Sequence, residues 1–459
     1  MHPVEPVLAT PGAVDDRPWW RTLNRYHWFV LVVCSLAWLF DTMDQQLFIV
    51  ARKPAMIGLL RTTPGDPRID AYSADATSIF IMGWALGGLI FGVVGDRLGR
   101  AKTMMLTILI YSLFTGLSAL SVGVWDFAFY RFLTGLGVGG EFAVGVSLVA
   151  EALPDRARPH ALGWLQASSA LGNMMAGLSS IVLGQLIQSS LVDKSSGWRW
   201  LFVIGVVPAL LVLVIMRRLK EPERWQQTAS RETPQHLGSI GDLFRTPRWR
   251  HHAIVGMLLA FAGVVGLWGI GFFSPDLIRT VLRPGFEQQG LDPQQIEAKL
   301  SLWVGIQSLL QNAGGFFGVY AFTRVTHYTG RKPAFVVGFL LAMLSTAFTF
   351  WFLHSIADIF WMIPIMGFCQ LMIFGGYAIY FPELFPTRLR STGTSFCYNV
   401  GRFVAAIGPY FLGLLTSQVF KSHGSEAMRY AGVTMCSFFL IGLAALPFAP
   451  ETRGQPLPE

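Results

Sequence analysis

The sequence predicts an all-α membrane protein: twelve transmembrane helices arranged as two pseudo-symmetric six-helix bundles. Three observations carry this expectation. Of 459 residues, 53% are hydrophobic and 14% charged, with mean hydropathy +0.48; that is too apolar for the several soluble domains such a length otherwise implies. Apolar runs of roughly 18 to 25 residues, enough to cross the hydrocarbon core as a helix, recur along the whole chain. The chain also repeats itself. Glu151-x-x-Pro154-x-Arg156-x-Arg158 returns 232 residues later as Glu383-x-x-Pro386-x-Arg388-x-Arg390, and Gly99-Arg100 returns 231 residues later as Gly330-Arg331. In a membrane protein such a repeat folds as two similar bundles, and ligand sites lie between them near the midplane.

In order, the expected spans are 27–49, 75–95, 102–122, 125–149, 161–187 and 199–216 in the first bundle. The second bundle takes 252–275, 300–322, 333–352, 356–381, 393–417 and 428–448. The domains are then an N-terminal segment (1–26), a first bundle (27–216), a linker (217–250), a second bundle (251–448) and a tail (449–459). Lys and Arg fix the orientation, because cytoplasmic loops hold them in excess. With the N-terminus inside, inner segments carry 22 of the 35 and outer segments 11. Both termini are therefore expected in the cytoplasm, in the cell (inner) membrane. The outer stretch 279–299, with Pro284, Gly285 and Pro293, reads as a short cover over the outer end.

The net charge of +8 needs no nucleic-acid partner, since an anionic inner lipid surface suffices. Cys34, Cys369, Cys397 and Cys436 all fall within spans and read as small packing residues rather than a disulfide framework. The polar N-terminal segment lacks a basic-then-apolar pattern, so no cleaved signal peptide is expected. No paired His at ligand spacing and no phosphate-binding loop occurs, so neither an enzyme, a metal nor a cofactor is expected; a monomer is. Gly83, Gly87, Gly88 and Gly92 in the second span, and Gly135, Gly137, Gly139, Gly140 and Gly145 in the fourth, give faces on which helix backbones approach closely. No strand precedes Gly135-x-Gly137-x-Gly139-Gly140, which excludes a nucleotide-binding reading.

Gly92-x-x-x-Asp96-Arg97-x-Gly99-Arg100-x-Lys102 resembles the signature loop of the major facilitator superfamily, and with the spans and repeat the likeness covers essentially the whole chain. Pro222-Glu223-Arg224-Trp225 and Pro450-Glu451-Thr452-Arg453-Gly454 are similar to the paired bundle endings of sugar-porter-like branches. Phe385-Pro386-Thr387-Arg388 and Asn399-Val400-Gly401-Arg402 resemble proton symporters of sialate, lactate and related acids. The second signature loop has His327 where the first has Asp96, and the fifth span lacks the Gly-Pro motif of drug antiporters. The resemblance implies alternating access. It also implies an inner charge latch of Asp96, Arg97, Arg100, Glu151, Arg156, Glu383 and Arg388.

Charges inside the spans are the candidate site, because burying an unpaired charge there costs several kcal/mol. Asp41 and Asp44 share one face of the first span; Asp41-Thr42-Met43-Asp44 resembles the Asp-Gly-Tyr-Asp motif of aromatic-acid symporters. Arg131 in the fourth span lies about six residues, roughly 9 Å, from the outer end, as Asp44 does, so the two can meet. Glu141 sits roughly 15 Å deeper along the same span. Together these four are the expected proton route, the family implying such a role for a first-span acid and fourth-span Arg; structural pairing and a packing hydrogen bond for Glu141 are the alternatives. Arg402 in the eleventh span suits a carboxylate, which a guanidinium holds through two parallel bonds; the alternative is a structural pair. Trp268, Gln307, Gln311, Asn312, Tyr377 and Tyr398 are candidate substrate contacts, each with core packing as its alternative.

At the repeat offset, Asp41, Asp44, Arg131 and Glu141 correspond to Phe272, Pro275, Ile363 and Met372, and Arg402 to Ala170 or Leu171. None of these counterparts is charged. The expectation is proton handling in one bundle and anion anchoring in the other: a proton-coupled symporter of a small organic acid in the lipid bilayer. A facilitator or symporter of a neutral solute such as a sugar, and a membrane sensor or scaffold, are the alternatives.

Overall fold

The computed structural model describes residues 18–63, 66–189, 191, 196–231, 236–270, 273–405, 411–412 and 414–459. Among these the chain is helical throughout, in the order α1 (Arg25–Leu60), α2 (Pro67–Leu98), α3 (Arg100–Ser118), α4 (Val124–Ala152), α5 (Arg158–Gln188), α6 (Gly197–Ile204) and α7 (Ala209–Arg218). The linker carries two short helices, α8 (Glu223–Arg231) and α9 (Ile240–Arg245). The second half follows with α10 (Pro247–Val264), α11 (Ser274–Gln288), α12 (Pro293–Thr329), α13 (Arg331–Phe352), α14 (Ile356–Glu383), α15 (Arg390–Ala405), α16 (Ala427–Met435) and α17 (Phe439–Ala445). Eight of the described helical stretches are long and apolar enough to cross a membrane. The other expected spans fall on α5, on α6 with α7, on α12, and on 390–419, where 406–410 and 413 lie outside the described residues.

Small residues explain the tightest packing. A methyl group added at Gly87 would overlap the backbone carbonyl of Leu136, and one at Gly139 that of Trp84, so α2 and α4 pack with backbones touching. The second half repeats the device at matching positions. Gly314 of α12 lies against the Pro364 carbonyl, and Gly318 against that of Phe368.

Polar chemistry repeats as faithfully. Gly99 and Gly330, at φ +107° and +100°, turn α2 into α3 and α12 into α13, a left-handed excursion glycine makes without strain. Arg100 then binds Glu151 at 2.8 Å, and Arg331 binds Glu383 at 2.8 Å. Glu221 accepts the first amides of α3 from Ala101 and Lys102; Glu451 accepts those of α13 from Arg331 and Lys332. These caps satisfy orphan N–H groups and place negative charge at a positive helix end.

Three expectations about loops and span ends need correction. The expected cover 279–299 is helical over most of its length: α11 runs on to Gln288 and α12 begins at Pro293. Along α11, Leu277, Ile278, Leu282 and Phe286 are buried at helical spacing while Arg283 and Glu287 face out, and that amphipathic pattern dilutes the mean apolarity from which span ends are read. The sixth span is broken between Ile204 and Ala209, where Pro208 cannot donate to a continuing helix. α1 extends past its expected end to Leu60.

Candidate functional site

Asp44 on α1 and Arg131 on α4 do meet. Arg131 Nη1 lies 3.8 Å from Asp44 Oδ2, both side chains fully buried. α3 supplies the hydroxyls that hold the pair: Thr115 Oγ1 donates to Asp44 Oδ1 at 2.8 Å, while Arg131 donates to Ser118 Oγ at 2.7 Å and to Thr115 Oγ1 at 3.2 Å. The guanidinium also lies over the ring of Phe202 at 4.7 Å, with Phe48 and Phe127 close by. A cation held by hydroxyls and rings survives loss of its anion better than one held by a carboxylate alone.

Asp41 lies one turn earlier on α1 and is fully buried. Gln45 Nε2 donates to its Oδ2 at 3.1 Å, and its Oδ1 has no hydrogen-bond partner among the described residues. Glu141, on α4, takes a 2.9 Å bond from Thr107 Oγ1 of α3. The charges of Glu141, Asp44 and Arg402 all reach Asp41, so the four titratable groups form one electrostatic cluster.

Arg402, on α15, crosses the seam between the bundles. Its guanidinium carbon stands 3.6 Å from the ring centre of Trp84 on α2 and 4.5 Å from that of Tyr398 on its own helix. Tyr398 in turn stacks at 4.2 Å on Phe142 of α4. Arg402 of the second bundle is thus set in an aromatic wall belonging partly to the first.

Gln307, Gln311 and Asn312 line a cavity of about 570 Å³ at the end of the bundles away from the linker, with Gln46 and Arg52 of α1, Asn173 of α5, and Asp276 and Arg279 of α11. Their amides form a chain: Gln307 donates to Gln311 at 2.8 Å, Gln311 to Gln370 at 3.2 Å, and Gln370 to Thr346 at 2.9 Å. In the cavity wall, Asn173 of the first bundle donates to Asn312 of the second at 2.9 Å. Tyr377 stands apart from these residues. It stacks on Phe381 at 4.9 Å and donates to the Leu259 carbonyl, inside the second bundle's own core. The side chain of Trp268 and the whole of Phe272 lie outside the described residues.

At the opposite end the seam is shut. Asp96 of α2 accepts the amides of Ser391 and Thr392 at 3.1 and 2.8 Å and the Thr392 hydroxyl at 2.6 Å. Glu151 is shared between Arg100 of its own bundle and Arg390 of the other, each at 2.8 Å, and Arg100 also donates to the Thr387 carbonyl at 2.7 Å. Glu383 keeps to its own half with Arg331 and Thr452.

Arg97 and Arg388 are not in this buried cluster. They hold the linker, Arg97 through the Leu237 carbonyl at 3.1 Å and Arg388 through Asp242 at 3.0 Å; Arg156 is exposed on the same face. Reasoning from sequence missed Arg390, although the repeated motif displayed it. It also missed Trp84 and Thr115, for which a single sequence carries no signal.

A profile of the Major Facilitator Superfamily matches residues 34–409. The chain is 28% identical over 383 residues to the cis,cis-muconate transport protein of Acinetobacter baylyi, covering 83% of this chain and 85% of that protein. It is 26% identical to the sialic acid transporter NanX of Escherichia coli, over 83% of this chain and 86% of the other. Among solved structures, the proton:xylose symporter XylE bound to 6-bromo-6-deoxy-D-glucose superposes with TM-score 0.71 at 17% identity, over 94% of this chain and 98% of that one. Superfamily profile, relatives and fold agree: the chain belongs to the major facilitator superfamily and is a multi-pass membrane transporter, not an enzyme.

Proposed function

We propose that the protein is a proton-coupled symporter of a small organic acid, working by alternating access in the cell membrane, with both termini in the cytoplasm. The observation that carries this reading is Arg402 set across the seam, with Asp41 within reach of its charge. An incoming carboxylate would find Arg402 as its anchor and an ionised Asp41 as its competitor. Two like charges about 8 Å apart repel by about 2 kcal/mol at an effective dielectric of about 20, or roughly thirtyfold in affinity. Protonating Asp41 removes that penalty, so proton and anion bind better together than apart, which is the thermodynamic content of symport. The proton enters from the outer cavity, and Asp44, Arg131 and Glu141 hold or pass it within the first bundle. No cofactor takes part, and a monomer suffices. The names of two relatives, muconate and sialic acid transporters, support an acid as substrate.

A second reading has its own observation. The cavity wall of Gln307, Gln311 and Asn312 suits hydroxyl groups, and XylE carries a neutral sugar. Gln307, Gln311, Asn312 and Tyr398 would then bind substrate while Arg402 is structural. Uptake of a labelled panel of carboxylates and sugars into proteoliposomes, with and without an inward proton gradient, separates these readings. Gradient-driven accumulation of an acid supports the first. Accumulation of a sugar alone supports the second, and binding without uptake of any solute supports a sensor.

A further inference from the structure

A groove of about 640 Å³ runs along the membrane-facing surface at the seam of the two bundles, lined by α1, α5 and α12. Its walls include Trp28, Val32 and Leu39 of α1, Trp164 of α5, and Phe316 and Tyr320 of α12. From Trp28 to Leu39 is eleven residues, about 16 Å of helix. Half of the roughly 30 Å hydrocarbon core is about 15 Å, so the groove is as long as one leaflet is deep. It starts near the end of α1 next to the latch and runs toward the middle of the membrane.

The Ser168 hydroxyl is already used, donating to the Ser35 carbonyl at 2.9 Å and to the Leu165 carbonyl at 2.6 Å, and the rest of the lining is mostly aliphatic and aromatic, which suits an apolar chain better than a polar solute. Its mouth is different. Arg324, exposed one turn beyond Tyr320, donates to the Tyr320 hydroxyl at 3.1 Å, with its guanidinium carbon 5.5 Å from the ring. Arg21 and Arg25 are exposed in the N-terminal stretch that also supplies Trp19 and Trp20 to the groove wall, and Trp19 stacks on His160 at 5.4 Å. Aromatic rings at the interface and cations at headgroup level above an apolar slot of leaflet depth match one molecule: a phospholipid with an anionic headgroup.

We propose that the groove seats one acyl chain of an anionic phospholipid of the inner leaflet, its phosphate held at Arg324. Because α1 and α5 belong to one bundle and α12 to the other, the lipid bridges the seam beside the latch and favours the latched state. The test is native mass spectrometry of the full-length protein released from mixed micelles of phosphatidylglycerol and phosphatidylcholine. The wild-type protein should retain phosphatidylglycerol in preference. Arg324→Gln, at an exposed position, should weaken that retention about tenfold, and Val32→Trp, which fills the groove from an exposed wall position, should do the same. Equal retention of the two lipids by the wild-type protein, or undiminished retention of phosphatidylglycerol in both variants, overturns the proposal. Loss in Arg324→Gln alone would show a headgroup contact without a seated chain, and would overturn the groove as the site.

Discussion

At the scale of single residues, the acids of α1 divide their work by what surrounds them. Asp44 has a cation at 3.8 Å and a hydroxyl donor, whereas Asp41 accepts from Gln45 and, among the described residues, has one carboxylate oxygen without a hydrogen bond. In the proposed symport Asp41 is therefore assigned as the proton carrier and Asp44 as the switch. Asp41→Asn should therefore abolish gradient-driven accumulation while leaving substrate exchange within a fewfold of wild type; full accumulation in that variant rules the carrier role out. Arg402→Lys keeps the charge but loses the planar fork and the stacking on Trp84. It should weaken acids tenfold or more and neutral solutes little, as read by competition binding. Sequence made Asp41, Asp44, Arg131, Glu141 and Arg402 visible because charge inside an apolar run is rare. It could not show Trp84, an aromatic among many, nor distinguish Tyr377 in a core from Tyr398 under a guanidinium, because both lie in equally apolar helices.

At the scale of elements, the halves share one construction and differ where the seam needs them to. The pairs Arg100–Glu151 and Arg331–Glu383, and the caps from Glu221 and Glu451, are built alike, and the repeated motifs announced the first of these directly. Burial opposes the charge of Glu451, but the amides of Arg331, Lys332 and Arg453 outweigh it and hold the carboxyl below its usual range. Its contribution is present above the unfolded value near 4.5 and fades as pH falls through the lower folded value. Glu451→Gln should accordingly lower the melting temperature at pH 7, with the difference from wild type shrinking at pH 3. The α2–α4 contact makes a second demand. Gly139→Leu would force the side chain into the Trp84 carbonyl and should prevent correct folding, seen as loss of monodisperse protein, whereas Gly285→Ala, where nothing lies within 4 Å, should be silent. The helices beyond the expected span ends, α11 above all, were hidden because a periodic amphipathic face lowers mean hydropathy without breaking the helix.

For the whole molecule, the seam is closed at the linker end by Asp96, Glu151 and Arg100 reaching into the second bundle, while the opposite end keeps an amide-lined cavity between the bundles. With both termini in the cytoplasm, as proposed, this is the outward-facing state with the inner latch engaged. Asp96→Asn removes the charge that the Ser391 and Thr392 amides hold, so it should shift the population toward the inward-open state, read as increased distance between spin labels at the inner ends of α2 and α15. The two-bundle architecture was legible because repeat, spans and charge bias all report on it independently. Which end is shut was not, since that depends on contacts across the seam between residues nearly 300 positions apart, such as Asp96 and Thr392. If acid and proton move together, the lumenal pH of proteoliposomes, followed by a trapped dye, reports it when a transported carboxylate is added outside. The lumen should acidify in fixed proportion to the labelled acid taken up, and Asp41→Asn should lose this acidification. Uptake of the acid with no change in lumenal pH would contradict symport.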